Sequence, residues 1–423
     1  MLNAERKMLI STTIGGAIGI FDFLTFVFLS PIIAKLFFPS NIPELSILFT
    51  YIVISISYVV RPLGGIVLAF LSDKYGRKTI FIFTIFSVGT PSLIIGFLPT
   101  YQQIGYTATI IIIIMRIMQG FALGGEVPGS VTYIRENFSK TNYFLDCAWL
   151  TFGANIGVVA SSQLLDLLYS ETSTAFMYKF GWRIPFIIVG IVSFCGFIFR
   201  KMAVANSNQP AVATAKKRSS IPLSELFKEY KRLILAGFVL ALMVSITTSV
   251  FQIFLPDILA NYKYISFKFA TSLSATGAMI LAFSSLLFAF ITRYIKPLFI
   301  ISITSSSLII FILTIAILSL KFDITPYLLY IVAIISFLIA GVNGLFLGIL
   351  GKIFPSSVRF SGVSICFNGA YIFGAGLSPI WVDLLFKINN NCNYILFIVA
   401  FIIAICAITF IRISSHRYGD KTN

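Results

Sequence analysis

The strongest constraint on this chain is the way its polar residues are spaced. Apolar runs of about 20 residues or more alternate with short polar joints along nearly the whole length. A helix of that length crosses the hydrocarbon layer of a bilayer, where backbone groups have no water to bond. Twelve runs can be drawn, at roughly 9–38, 46–72, 79–98, 106–134, 144–169, 182–201, 232–256, 269–292, 297–319, 325–352, 360–386 and 393–412. Composition leads the same way: hydrophobic residues make up 58 %, charged residues 11 %, and the mean hydropathy is +0.97. A soluble domain of this size needs far more charge to cover its surface. The expectation is an all-α membrane protein with twelve transmembrane helices.

The first run follows Arg6 and Lys7 and is too long for the core of a secretion signal, so it reads as the first membrane helix. The longest polar stretch is 202–231, with Asn206, Ser207, Asn208 and Gln209 followed by Lys216, Lys217 and Arg218. It has the composition of a solvated linker. It divides the chain into two six-helix bundles, 1–201 and 232–423.

Net charge is +16, which in a soluble protein would suggest nucleic acid. Here the Lys and Arg lie in the joints, and no nucleic-acid motif is present. With the N-terminus inside, the inner joints and tails hold 22 of them and the outer joints 7, Arg200 and Lys201 being counted in an inner joint. Positive charge collects on the cytoplasmic side, so both termini are expected there. The cysteines Cys147, Cys195, Cys366, Cys392 and Cys406 form no CxxC pair and read as small hydrophobes. The single His, His416, lies in the tail, which excludes an intramembrane His-based metal or catalytic site. No cofactor is implied.

After the second run come Arg61-Pro-Leu-Gly-Gly65 and then Asp73-Lys-Tyr-Gly76-Arg77-Lys78. Gly76 permits a tight turn, and Asp73 can sit at a helix start or pair with an arginine. This resembles the cytoplasmic loop motif of the major facilitator superfamily. The fourth run contains Arg116-Ile-Met-Gln119-Gly120 and Gly124-Gly125-Glu126-Val-Pro-Gly129, similar to the signature of the metabolite:proton symporter family within that superfamily. Phe21-Asp22-Phe23, Gly181-Trp182-Arg183, Leu255-Pro256, Phe354-Pro355 through Arg359, and Phe367-Asn368-Gly369-Ala370 extend the likeness over nearly the whole chain. It looks most like the proline/betaine transporters.

There are departures. Gly19-Ile20 stands where the family commonly has Glu-Trp. Thr292-Arg293-Tyr294-Ile295-Lys296-Pro297 is an eroded second copy of the loop motif, about 220 residues after the first, and still supports a duplicated unit. A long coiled-coil tail is not seen, which tells against tail-based osmotic sensing.

Charge at mid-bilayer costs at least about 2.5–3.5 kcal/mol per residue, so each instance needs a reason. Asp22, Arg61, Arg116 and Glu126 lie within runs. Arg116, Gln119, Leu123 and Glu126 share one helical face, within an arc of about 80°. Gly120 and Gly124 form an adjacent strip for close helix packing, and Gly153 and Gly157 offer a matching strip in the fifth run. Asp22 and Glu126 are candidate proton carriers, with Arg116 as counter-charge; a permanent ion pair fixing helix packing is the alternative. Arg61, placed near the cytoplasmic end of its run, is expected to pair with Asp73 or Glu136 as a gate latch. With Gly65, Gly76, Arg77 and Arg359 these make up the gate and loop set. Asn155, Asn368 and Tyr371 lie at plausible depth for solute contact or for interhelical bonding.

The reading is a proton-coupled symporter in the bacterial inner membrane that carries a small polar solute, first a proline- or glycine-betaine-like zwitterion. A mono-, di- or tricarboxylate symporter is the alternative, and a non-transporting sensor or degenerate paralogue the different-class alternative. It is not expected to be an enzyme. Its partners are solute, proton and lipid bilayer, without nucleic acid, and a monomer is expected to suffice.

Overall fold

The computed structural model describes residues 4–39, 43–75, 77–138, 142–205, 223–261, 264–389 and 393–418. We number the membrane-crossing helices α1 to α12. In the first half they are α1 (Ala4–Phe28), α2 (Pro43–Tyr75), α3 (Arg77–Phe97), α4 (Tyr106–Asn137), α5 (Tyr143–Glu171) and α6 (Arg183–Ala205). In the second half α7 (Lys231–Thr248) continues through a wide π-turn, Ser249–Phe254, into Leu255–Asn261. Then follow α8 (Phe267–Ile291), α9 (Pro297–Leu318) and α10 (Leu328–Ile353). The eleventh, α11 (Arg359–Tyr371), passes through a second π-turn, Ile372–Gly376, into Ser378–Asn389, and α12 is Asn393–Tyr418.

Eleven spans are long and apolar enough to cross a membrane among the described residues, and Ile82–Phe97 within α3 is a shorter apolar stretch. The twelve crossings expected from the runs are thus present. The first run is not one helix. It breaks at Leu29 and resumes as Ser30–Phe37, because Pro31 supplies no backbone donor to the preceding turn. Of the expected linker, 206–222 lies outside the described residues, and Leu223–Glu229 is a short helix. Cys392 also lies outside them.

The pairing of helices repeats. In the first half α1 packs on α5, α2 on α4 and α3 on α6; in the second, α7 packs on α11, α8 on α10 and α9 on α12. Adding six to each number of the first set gives the second. Between the halves α2 meets α11 and α8 meets α5, which are also related by that shift. This is the pattern of two six-helix bundles related by a pseudo-two-fold axis.

Glycine decides which faces meet, and the partners differ from those the sequence suggested. A Cβ on Gly120 would stand 2.2 Å from the Ser57 carbonyl oxygen, and one on Gly124 2.0 Å from that of Arg61. The strip on α4 therefore faces α2, not α5. Gly153 and Gly157 face Thr13 and Ala17 of α1 at 2.2 and 2.3 Å by the same measure. Large apolar side chains such as Phe70, Phe97, Ile310 and Phe401 stay exposed and provide the lipid-facing surface.

Candidate functional site

Two buried ion pairs sit in the first half, about 15 Å apart along α4, since ten residues separate Arg116 from Glu126. Around Asp22 four helices converge. Its Oδ2 accepts from Arg116 Nη1 at 3.0 Å. Its Oδ1 accepts from Ser92 Oγ at 2.6 Å and from Gln119 Nε2 at 3.1 Å. Gln119 Nε2 also donates to Ser92 Oγ at 2.8 Å. Asp22 is wholly buried and Arg116 nearly so. The guanidinium lies 3.8 Å from the ring centroid of Phe26 and 5.7 Å from that of Phe186, so aromatic faces replace part of its hydration.

Arg116 makes only one donor contact to the carboxylate, and its Nε and Nη2 are enclosed without a hydrogen-bond partner. A guanidinium can offer a two-pronged fork, and this one does not. Such a pair is bound less firmly than the geometry of arginine allows. It is therefore the more readily opened of the two pairs.

The second pair corrects the sequence reading. Glu126 does not share Arg116; it binds Arg200 of α6, a residue that the run boundaries put in a charged joint. Arg200 donates from Nη2 to Oε1 and, at 3.1 Å, from Nη1 to Oε2 of Glu126. The Thr84 hydroxyl donates to Oε2 as well. Arg200 reaches this site because residue 15 of α1 is glycine: a Cβ there would lie 1.9 Å from Arg200 Nη2. This is a fork-to-fork pair, completely buried on the arginine side, and it joins α3, α4 and α6.

Arg61 is also placed differently. It lies near the middle of α2, not at its end. No carboxylate accepts from it among the described residues; its guanidinium lies 3.9 Å from the Tyr58 ring centroid and 5.9 Å from that of Phe23. Glu136 instead pairs with Arg359 at 3.2 Å, tying the end of α4 to the start of α11. Gly76 and the side chains of Asp73 and Arg77 lie outside the described residues.

The polar candidates divide. Asn155 donates to Thr151 O of its own helix at 2.8 Å and joins neither charge site. Asn368 is wholly buried and donates to Gly124 O at 2.8 Å, bonding α11 to α4 across the halves. Gly65 is the close-approach point beneath it, where a Cβ would stand 2.0 Å from Ser364 Oγ. Tyr371 stacks on Phe367 at 4.3 Å between centroids.

Contacts absent from the sequence reading close the interface at both ends. At the end where the chain termini lie, Arg293 of the eroded loop donates to Asn142. At the opposite end Tyr51 donates to Asp257 at 3.4 Å, and Ser55 to Gly376 O at 2.6 Å. Asp257 follows Pro256, just past the expected end of its run, where hydropathy does not single it out. A cavity of about 250 Å³ lies elsewhere, between α7, α9, α10 and α12, with a largely apolar lining that offers little to a polar solute.

The profile of the Major Facilitator Superfamily matches residues 12–365. The chain belongs to the major facilitator superfamily. Among its relatives, the proline/betaine transporter of Escherichia coli is 24 % identical over 418 residues, 96 % of this chain and 83 % of that protein. A Staphylococcus haemolyticus protein provisionally named a proline/betaine transporter is 29 % identical over 91 % of this chain and 82 % of its own length. The E. coli inner membrane metabolite transport protein YhjE is also 29 % identical, over 89 % and 87 %. Of solved structures, the E. coli xylose transporter XylE in a partially occluded inward-open conformation superposes with a TM-score of 0.70 at 14 % identity, covering 96 % of this chain and 97 % of that one. A bacterial homologue of the iron transporter ferroportin, outward-facing, gives 0.71 at 12 %, over 98 % and 100 %. These share the fold. As a major facilitator protein, the chain is a multi-pass membrane transporter of small molecules, not an enzyme.

Proposed function

We propose that this transporter is a proton-coupled symporter for a small zwitterion of the proline or glycine betaine kind, with Asp22 as the proton-carrying acid. The Asp22–Arg116 pair carries the reading: a wholly buried carboxylate held at one point by a cation whose other donors are idle. Such an acid can hold a proton in one conformation and the guanidinium in another, which is what coupling requires. Ser92 and Gln119 would keep the carboxylate aimed in either state. The names of the relatives support the solute class.

The charge distribution of the joints supports a cytoplasmic location for both termini and for 202–231, in the inner membrane. One chain supplies every residue of the two charge sites, which supports a working monomer. Glu136–Arg359 and Arg293–Asn142 then latch the inner face, and Tyr51–Asp257 the outer.

The test is uptake into proteoliposomes. Wild type should concentrate labelled proline or glycine betaine under an inward proton gradient. Asp22→Asn should lose accumulation and keep counterflow exchange, which moves no net proton. Accumulation by Asp22→Asn would remove the assignment. Absence of any uptake by wild type would favour a sensor or degenerate paralogue.

A further inference from the structure

Three arginines are buried within the helical bundle among the described residues: Arg61, Arg116 and Arg200. Arg116 has Asp22, and Arg200 has Glu126. Arg61 has no described carboxylate. The side chain of Asp73, its expected partner, lies outside the described residues. Leaving a cation in this position is costly unless something pairs with it in the working cycle.

The surroundings say what that partner is. Arg61 is 5 % exposed, and its Nε is enclosed without a hydrogen-bond partner. Its guanidinium lies over the face of Tyr58, 3.9 Å from the ring centroid, a stack that fixes the plane of the fork. Phe23, the neighbour of Asp22, provides the second ring. Tyr58 and Gly65, about one turn to either side of Arg61, both meet α11: a Cβ on Gly376 would lie 2.7 Å from Tyr58 Cβ, and Gly65 meets Ser364. Arg61 therefore sits on the seam between the halves, where a solute passes in alternating access. Across this seam α11 carries Tyr371. It stacks on Phe367, which in turn stacks with Phe346, giving an aromatic wall on the second half.

We infer that Arg61 is the anchor for the solute's carboxylate, with Tyr58 and Phe23 orienting the guanidinium and the Tyr371 side of the seam facing the solute's other end. One cation without a carboxylate among the described residues matches one solute carboxylate. A dianion would leave its second charge facing rings. Phe23, which borders the anchor, is the residue next to Asp22 along α1. The solute's identity rests on the symporter reading above; the anchor rests on the geometry.

The experiment is isothermal titration of the purified full chain in detergent with glycine betaine, choline and succinate. Choline keeps the trimethylammonium group and has a hydroxyl in place of the carboxylate. Wild type should prefer glycine betaine to choline by at least about tenfold, the worth of a charge-assisted hydrogen bond. In Arg61→Gln that preference should collapse. Arg61→Lys keeps the charge but not the flat stack, and should bind glycine betaine with intermediate affinity; it carries the test if the Gln variant does not fold. Undiminished preference in Arg61→Gln, or in Arg61→Lys when that variant carries the test, overturns the anchor and leaves the symporter reading standing. Succinate binding that depends on Arg61, without binding of glycine betaine, upholds the anchor and removes the zwitterion. Binding of neither carboxylate by wild type overturns the anchor.

Discussion

Replacing Arg200 by methionine separates the two ion pairs by role. The substitution keeps most of the side-chain length but strands Glu126 as a buried carboxylate with Thr84 as its remaining named donor. Removing one partner of a buried pair costs about 3–5 kcal/mol. At the usual unfolding entropy per residue, a chain of 423 residues converts this into a drop in melting temperature of about 3–6 °C. Arg200→Met combined with Glu126→Gln removes the stranded charge and should recover most of the loss, because an apolar or neutral replacement for both partners is often tolerated. Both variants should retain proton-driven accumulation once folded. The assay is tryptophan-fluorescence melting in detergent, followed by uptake. A double variant no more stable than the single would refute the clasp argument. Full stability with lost coupling in Glu126→Gln would make Glu126 the proton carrier.

The glycine seams give a second prediction: Gly124→Val should abolish folded protein, because its Cβ meets the Arg61 backbone, whereas Gly129→Ala should be tolerated, its Cβ lying 3.4 Å from the movable Phe360 ring. Membrane yield and size-exclusion profiles check both. Glu136→Gln should loosen one end of the interface and Asp257→Asn the other, so cysteine probes in α11 should gain reactivity from opposite sides; gain from the same side in both would refute the two-latch arrangement. Lys228→Cys should label only from the cytoplasm and Lys321→Cys only from outside, and the reverse pattern would overturn the orientation.

The twelve crossings were legible because the bilayer imposes a length and a composition on every span. Asp22 and Arg116 were legible because intramembrane charge is costly and rare. Partners were less so. Periodicity put Gly120 and Gly124 on one face but could not say which helix faced it, and α2 took the place expected for α5. Arg200 looked like an ordinary end-of-span cation because it precedes Lys201, and only the space left by Gly15 shows that it turns inward. Ser92 carries no sequence signal at all: a serine in a membrane helix usually bonds its own backbone, as this one also does to Val88 O. Arg61 read as an end-of-span cation because it precedes Pro62 and the charged loop motif, yet the helix runs on through Pro62 to Tyr75.

The glycine seams also bear on how such a protein can diverge. Where α4 lies on α2 and α5 on α1, main chain touches main chain, and there is no side chain whose rotamer could yield. Drift at Gly120, Gly124, Gly153 or Gly157 would have to be met by moving whole helices. Along α2–α11 and α5–α8 the halves also meet through side chains, such as Ser55 on Gly376 O and Phe152 on Phe283, which can be exchanged one at a time. New solute preferences can therefore arise on that surface while the first half keeps its internal frame, and lineages carrying different cargo should differ most along it.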